Sequence, residues 1–193
     1  MRSLDWSQGR WSTPPERAVP DGDDLLVTCR AGSDLWRTTA YGFVHDDGHG
    51  LLADLPDGSA VEVSFRAELS EQFDQAGLLV RADAEHWVKA GVELSDGVPL
   101  LGAVVTRGVS DWSTAPVPQW RGLEVTVRAS RSGDALTVRA RAGDEPWRLV
   151  RVAPIDPALP WQAGPAACAP TRAGLVVRFT GWRTGAADAA LHG

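Results

Sequence analysis

The chain has 193 residues, a formal net charge of -6 and a pI near 5.2, a length that one large sandwich domain accommodates with a sizeable core. Affinity for nucleic acid comes mainly from Lys and Arg neutralising phosphates, so this acidic balance, without any basic block, excludes a polyphosphate partner. No run approaches the roughly 18 apolar residues of a membrane helix, and the first 24 residues lack the apolar stretch of a signal peptide; a soluble, cytoplasmic protein with no membrane partner is expected.

Apolar residues recur with period two along the chain and no long segment keeps a helical stripe, so the elements read as strands. The first clear one is 25–30, "LLVTCR". It carries Cys29, which is far from Cys168 in sequence and shows no metal-ligand spacing with it; both read as reduced, packed thiols. A strand is expected over 41–45, "YGFVH", followed by the polar turn "HDDGH". In 61–69, "VEVSFRAEL", Val61, Val63, Phe65, Ala67 and Leu69 share one face and Glu62, Ser64, Arg66 and Glu68 the other. Strands follow over 76–82, 86–94 and 99–106. The stretch "RGVSDWSTAPVPQW" then reads as an irregular loop of a length that is often functional.

Beyond it, 123–130 turns Leu123, Val125 and Val127 inward and 135–142 does the same with Leu136, Val138 and Ala140, the two joined through "RSGD" as a hairpin. "WRLVRV" continues the meander, the Pro-rich 153–171 is a second long connection, 173–180 is a last strand, and 183–193 reads as a flexible tail. Many strands at this spacing without intervening helices predict a single domain of two packed antiparallel sheets.

The strand 86–94, "HWVKAGVEL", is unlike the others. Val88, Ala90, Val92 and Leu94 point one way, so Trp87, Lys89, Gly91 and Glu93 point the other, a mixture of an aromatic, opposite charges and a glycine. Lys89 is the one lysine of the chain, against 18 arginines. Two readings stand side by side: Lys89 and Glu93 pair with charges on neighbouring strands, Arg81 with Glu93 for example, or the face binds a ligand.

Five blocks carry a family resemblance: "SDLWRTTAYGFVHDDGH" (33–49), "FDQAGLLVRADAEHWVKAGVEL" (73–94), "GAVVTRGVSDWS" (102–113), "GDEPWRLVRV" (143–152) and "RAGLVVRF" (172–179). In order and spacing they resemble the concanavalin A-like family known as domain of unknown function 1349, whose fungal members are named as regulators of enolase. The resemblance implies an all-β, jelly-roll sandwich. Its motifs fall on Asp34, Trp36, Thr38 and His49, then on Asp74, Gln75, Gly77, Arg81, Trp87, Lys89, Gly91 and Glu93, then on Thr106, Ser110, Asp111 and Trp112. It implies no reaction, and the wider fold class, with sugars bound on a concave sheet face, is an analogy from fold.

The candidate ligand-binding residues are Asp34, Trp36, Arg81, Trp87, Lys89, Glu93, Thr106, Asp111 and Trp112. Tryptophan rings stack on the apolar faces of sugars while Asp34, Lys89, Glu93 and Asp111 hydrogen-bond hydroxyls, so non-catalytic binding of a carbohydrate or a related polyhydroxylated metabolite is the leading expectation. A regulatory module that binds a protein partner is the alternative. A glycosidase needs two carboxyl groups across the scissile bond, and Glu93 with Asp111 is the pair on offer. His45, Asp46, Asp47 and His49 present metal-ligand chemistry within five residues, but a polar hairpin turn at Asp47-Gly48 is the preferred reading since no second ligand cluster is evident, and no cofactor is expected. Cys29 lies in an apolar strand without a catalytic partner.

Overall fold

The computed structural model describes residues 1–191. Its strands, in chain order, are β1 (Arg2–Ser3), β2 (Arg10–Trp11), β3 (Arg17–Asp21), β4 (Asp24–Thr28), β5 (Leu35–Arg37), β6 (Val44–Asp46), β7 (His49–Asp54), β8 (Ser59–Ala67), β9 (Gln75–Arg81), β10 (His86–Ser95), β11 (Val98–Arg107), β12 (Val109–Pro116), β13 (Val125–Ser132), β14 (Ala135–Ala142), β15 (Arg148–Pro154), β16 (Gln162–Cys168) and β17 (Val176–Ala186). Two antiparallel sheets hold nearly all of them. One runs β15-β14-β13-β8-β17-β4-β3 with β1 on β17, the other β12-β11-β10-β9-β16-β7-β2, and β5 and β6 form a separate hairpin. The nearly all-β sandwich read from the sequence is the fold observed. Among the described residues no helix is long and apolar enough to cross a membrane.

Alternation decides which side chains meet between the sheets. Val61, Val63 and Phe65 of β8 and Leu136 and Val138 of β14 pack against Val88, Ala90 and Val92 of β10, with Phe179 and Trp182 from β17. Each such side chain contributes about 1.5–3 kcal/mol of burial relative to exposure. The register is set by the turns. β10 and β11 are joined by Asp96 and Gly97 at φ 51° and 77°, the left-handed pair that a two-residue hairpin turn demands, and Gly133 at φ 58° opens the turn between β13 and β14.

Four expectations change. The loop read after position 107 is instead strand β12, which leaves β11 by a tight turn at Gly108, φ 76°. It lies at the sheet edge with nearly every residue exposed, so it shows no alternation. The Pro-rich connection contains β16, in the middle of a sheet, and Pro165 is tolerated because pairing with β7 lapses between Ala163 and Ala166 while pairing with β9 is unbroken. The stretch read as a flexible tail begins inside β17, and beyond it Asp188 accepts hydrogen bonds from Arg128 and Arg139; residues 192–193 lie outside the described chain. Leu123, expected to face inward, is exposed ahead of β13.

Gly77, Gly91 and Gly102 stand opposite one another on β9, β10 and β11. A Cβ on Gly91 would run into the carbonyl oxygen of Ala76, and one on Gly77 into that of Ala90, so the two backbones approach as closely as only glycine permits. Gly91→Ala is therefore expected to cost about 2–3 kcal/mol of unfolding free energy by urea denaturation; an unchanged midpoint would contradict this packing.

Candidate ligand-binding cleft

The β5–β6 hairpin lies across the outer face of the seven-stranded sheet, the face bearing Trp87, Lys89 and Glu93. Arg81 of β9 grips Asp46 through two hydrogen bonds of 2.5 and 2.9 Å. Arg37 donates to Glu85 (2.7 Å) and to the Gly108 carbonyl (2.9 Å), and its backbone N–H reaches Ser110 Oγ (2.9 Å). Beneath the hairpin, Leu35 and Trp36 close a second apolar cluster with Leu52, Leu79, Trp87, Val104, Ala166 and Cys168. The face is thus half covered and half open.

The open half is a cleft of about 280 Å³. Its floor carries Lys89, Glu93 and Gln75, and its walls are the rings of Trp36, Tyr41, Phe43 and Trp112, with His45 and Phe73 at the ends. Trp36 stands edge-on to both Trp112 (centroids 6.4 Å) and Tyr41 (5.6 Å), and its indole N–H donates to the Thr39 carbonyl at 2.9 Å. The hairpin tip is held in costly backbone: Thr38 and Ala40 have φ 64°, and Phe73 has φ 65°. Non-glycine residues in this region are uncommon, and such strain tends to collect at sites where geometry matters.

Asp34 organises the floor. Its Oδ1 accepts from Lys89 Nζ (3.0 Å), from Gln75 Nε2 (3.3 Å) and from the Leu35 N–H (2.7 Å). Burial, the largest single influence, works against the Lys89 ammonium, yet Asp34 through charge and hydrogen bond, together with Cys168 and Glu93, outweighs it and raises the Lys89 pKa. Glu93 is different. Its carboxyl lies largely out of water and Oε1 has no hydrogen-bond partner in the protein. Burial pushes its pKa from 4.5 up to about 7, against the pull of Lys89 and with some help from Asp34. Near neutrality the floor therefore holds one ion pair and one carboxyl that switches between donor and anion.

Of the residues singled out from sequence, Asp34, Trp36, Lys89, Glu93 and Trp112 converge on the cleft. The other four do not. Trp87 is 0 % exposed under the hairpin and offers no stacking surface. Arg81 is taken by Asp46 rather than by Glu93. Thr106 is buried beside Trp87, bonded to Ser110 at 2.8 Å. Asp111 stands opposite Val105, a core residue, and so on the other face of the sheet from Glu93; its carboxylate binds Arg151 at 2.7 Å. The acid pair considered for glycoside hydrolysis is therefore separated by the sheet itself.

Of the "HDDGH" side chains only His45 and Asp47 meet, at 3.6 Å, and the others turn to separate partners. His49 is buried, accepting at Nε2 from the Arg30 N–H (3.0 Å) and facing the Thr13 carbonyl through Nδ1 (3.1 Å). Burial lowers its pKa, which keeps the ring neutral. Asp46 holds Arg81 and Asp47 accepts from the Asp34 N–H at 3.0 Å. Among the described residues no three His, Cys, Asp or Glu side chains gather as metal ligands. Both thiols are free and buried, and burial pushes Cys29 up to about 12 and Cys168 well above its ordinary value, so neither is an activated nucleophile. Sequence reading missed Tyr41, Phe43, His45, Phe73 and Gln75 as cleft residues. Gln75 stood in a matching block, and the "YGFVH" aromatics read as a sheet strand rather than as the tip of a folded-over hairpin.

A two-sheet sandwich with a hairpin laid over one sheet and a polar-floored aromatic cleft between them defines the class. The chain belongs to the family described as protein of unknown function (DUF1349), whose model matches residues 11–187. It is 35% identical over 192 residues to "Regulation of enolase protein 1" of Saccharomyces cerevisiae, covering 99% of this chain and 96% of that one. A crystal structure of a functionally unknown Saccharomyces cerevisiae protein superposes with a TM-score of 0.89 at 34% identity, over 95% of this chain and 98% of the other. A xylan beta-1,4-xylosidase from Bacillus halodurans shares the fold at TM-score 0.72 and 16% identity, with 95% of this chain matching 39% of the enzyme.

Because Glu93 ionises near 7 in the folded chain and at about 4.5 once unfolded, the native state holds the extra proton between these values and stability falls as pH rises through that window. The loss is at most about 3 kcal/mol. Glu93→Gln should match the wild type at pH 4 and exceed it at pH 8 in chemical denaturation. A difference between the two proteins that does not change with pH would contradict the buried, unpartnered carboxyl.

Proposed function

We propose that the cleft binds a carbohydrate or a related polyhydroxylated small molecule without turning it over. The observation that carries this reading is the combination in one concavity of aromatic walls with a floor of fixed polar groups, including the unpartnered Oε1 of Glu93. Sugars present apolar C–H faces to rings and hydroxyls to donors and acceptors. Here Glu93 accepts or donates according to its protonation, and the Lys89 ammonium has Asp34 as its hydrogen-bond acceptor among the described residues, with further N–H groups free for a ligand. With its one lysine already neutralised by Asp34, the floor suits a hydroxylated ligand better than a polyphosphorylated one. The sugar-acting and carbohydrate-module names among the structural neighbours accord with this reading only at the level of fold.

A second reading, a regulatory module that docks on a protein, draws on the name of the Saccharomyces cerevisiae relative and on the hairpin tip, where Tyr41, Phe43 and Val44 are exposed. Two free thiols fit a reducing compartment such as the cytoplasm under either reading.

Thermal melting against mono- and oligosaccharides tests the choice. A ligand at about ten times its Kd contributes roughly 1.4 kcal/mol, a rise in Tm of about 3–6 °C for a chain of this size. The shift should appear with one sugar class and vanish in Trp112→Ala, and in Lys89→Ala measured from that variant's own baseline. No shift with any sugar would move the function to the protein-docking surface.

A further inference from the structure

The aromatic wall does not stop at the mouth of the cleft. From Trp112 on edge strand β12 it passes to Trp36, then to Tyr41 (5.6 Å between centroids), Phe43 (5.3 Å) and His45 (5.0 Å), five rings in unbroken contact. Only Trp36 in this series is buried; Trp112, Tyr41 and Phe43 are 38 %, 56 % and 42 % exposed. Three large exposed rings in one row are more than a single bound sugar unit needs. Nor do they build the fold: the hairpin is fastened by Leu35, Arg37 and Asp46, on its sheet-facing side, and by Asp34.

The two ends of this surface differ. The inner end meets the polar floor, where Asp34 and Lys89 are paired and Oε1 of Glu93 is enclosed without a partner. The outer end is built of the exposed rings of Tyr41 and Phe43, with His45, 3.6 Å from Asp47, as its polar member. An occupant that matches both is a chain with one terminal unit that is read by hydrogen bonds and further units that are held mainly through their apolar faces. Stacking on an aromatic side chain is tolerant of small differences between successive units, so a row of rings suits a repeating polymer.

We propose that the ligand is the end of a linear oligosaccharide, its terminal unit over Lys89 and Glu93 and its following units against Tyr41 and Phe43. This rests on the reading of the cleft as a sugar site and adds to it a chain-length dependence and a direction. Tyr41 and Phe43 then set how affinity grows with the second and later units.

The test is binding, by calorimetry, of the mono-, di-, tetra- and hexasaccharides of the linear β-1,4-xylose, β-1,4-glucose and α-1,4-glucose series to the wild type, to Tyr41→Ala/Phe43→Ala and to Trp112→Ala. In the series that binds, affinity should rise about tenfold or more from monosaccharide to tetrasaccharide. Tyr41→Ala/Phe43→Ala should lose most of that rise, so that its tetrasaccharide and monosaccharide affinities lie within about threefold of each other, a ratio taken inside one folded variant and so independent of its stability and of any loss in monosaccharide affinity. Equal affinity for all lengths, or a rise that survives the double substitution, would overturn the chain-end assignment and leave the sugar site standing. Binding of no sugar by the wild type would overturn both.

Discussion

The ion pair between Asp34 and Lys89 is the contact on which the site depends. Lys89 projects from the middle of a sheet whose outer face also carries Gln75, Arg81 and Glu93, and Asp34 leads into the hairpin that covers half of that face; their 3.0 Å bond ties the base of the hairpin to the sheet. Both side chains are largely withdrawn from water, so removing either leaves a buried charge, a change that typically costs several kcal/mol. Arg81 with Asp46, which stands opposite Leu35, fastens the second strand at the same end of the hairpin, and Arg37 holds the end toward the tip through Ser110 and Glu85. Between these anchors Leu35, Trp36 and Trp87 pack without water, and beyond them the cleft stays open.

That arrangement explains why Glu93 titrates so far from its ordinary value. The one nearby cation is already shared with Asp34, so it compensates only part of the cost of burying a second carboxylate. Replacing Glu93 with an apolar residue would remove the cost altogether, and its presence in a cleft lined with exposed rings, beside left-handed backbone at Thr38, Ala40 and Phe73, supports the proposed reading. The family membership and the fold leave the ligand open; the proposal of a hydroxylated molecule with apolar faces draws on the cleft's chemistry.

Much of the fold was legible because a sheet with one buried face writes itself into the sequence with period two, as β8, β10, β13 and β14 do, while β9, buried on both faces, reads as a continuous apolar run. Strand β12 did not, since an edge strand exposed on both sides has no face to mark, and β16 hid behind a proline that happens to fall where the ladder lapses. In the cleft, the lone lysine points to the face that carries it, and Asp34, Trp36, Lys89, Glu93 and Trp112, singled out from sequence, share its lining. Trp87 was misread for a physical reason: facing away from the main core looks the same as facing solvent until another element is known to lie on top. That element is the hairpin, and its tip turns on left-handed backbone at Thr38 and Ala40, residues that give no local signal for such a conformation. Tyr41 and Phe43 were lost with it.

The most direct test of the account is a ¹³C NMR titration of the Glu93 side-chain carboxyl, free and with the saccharide series that shifts the melting temperature. The account predicts a midpoint near 7 in the free protein and a displaced midpoint when sugar fills the cleft, because the ligand's hydroxyls partner the orphaned oxygen. A midpoint near 4.5, unmoved by any sugar, would mean that the carboxyl is hydrated, the cleft is not the binding site, and the floor is architecture alone.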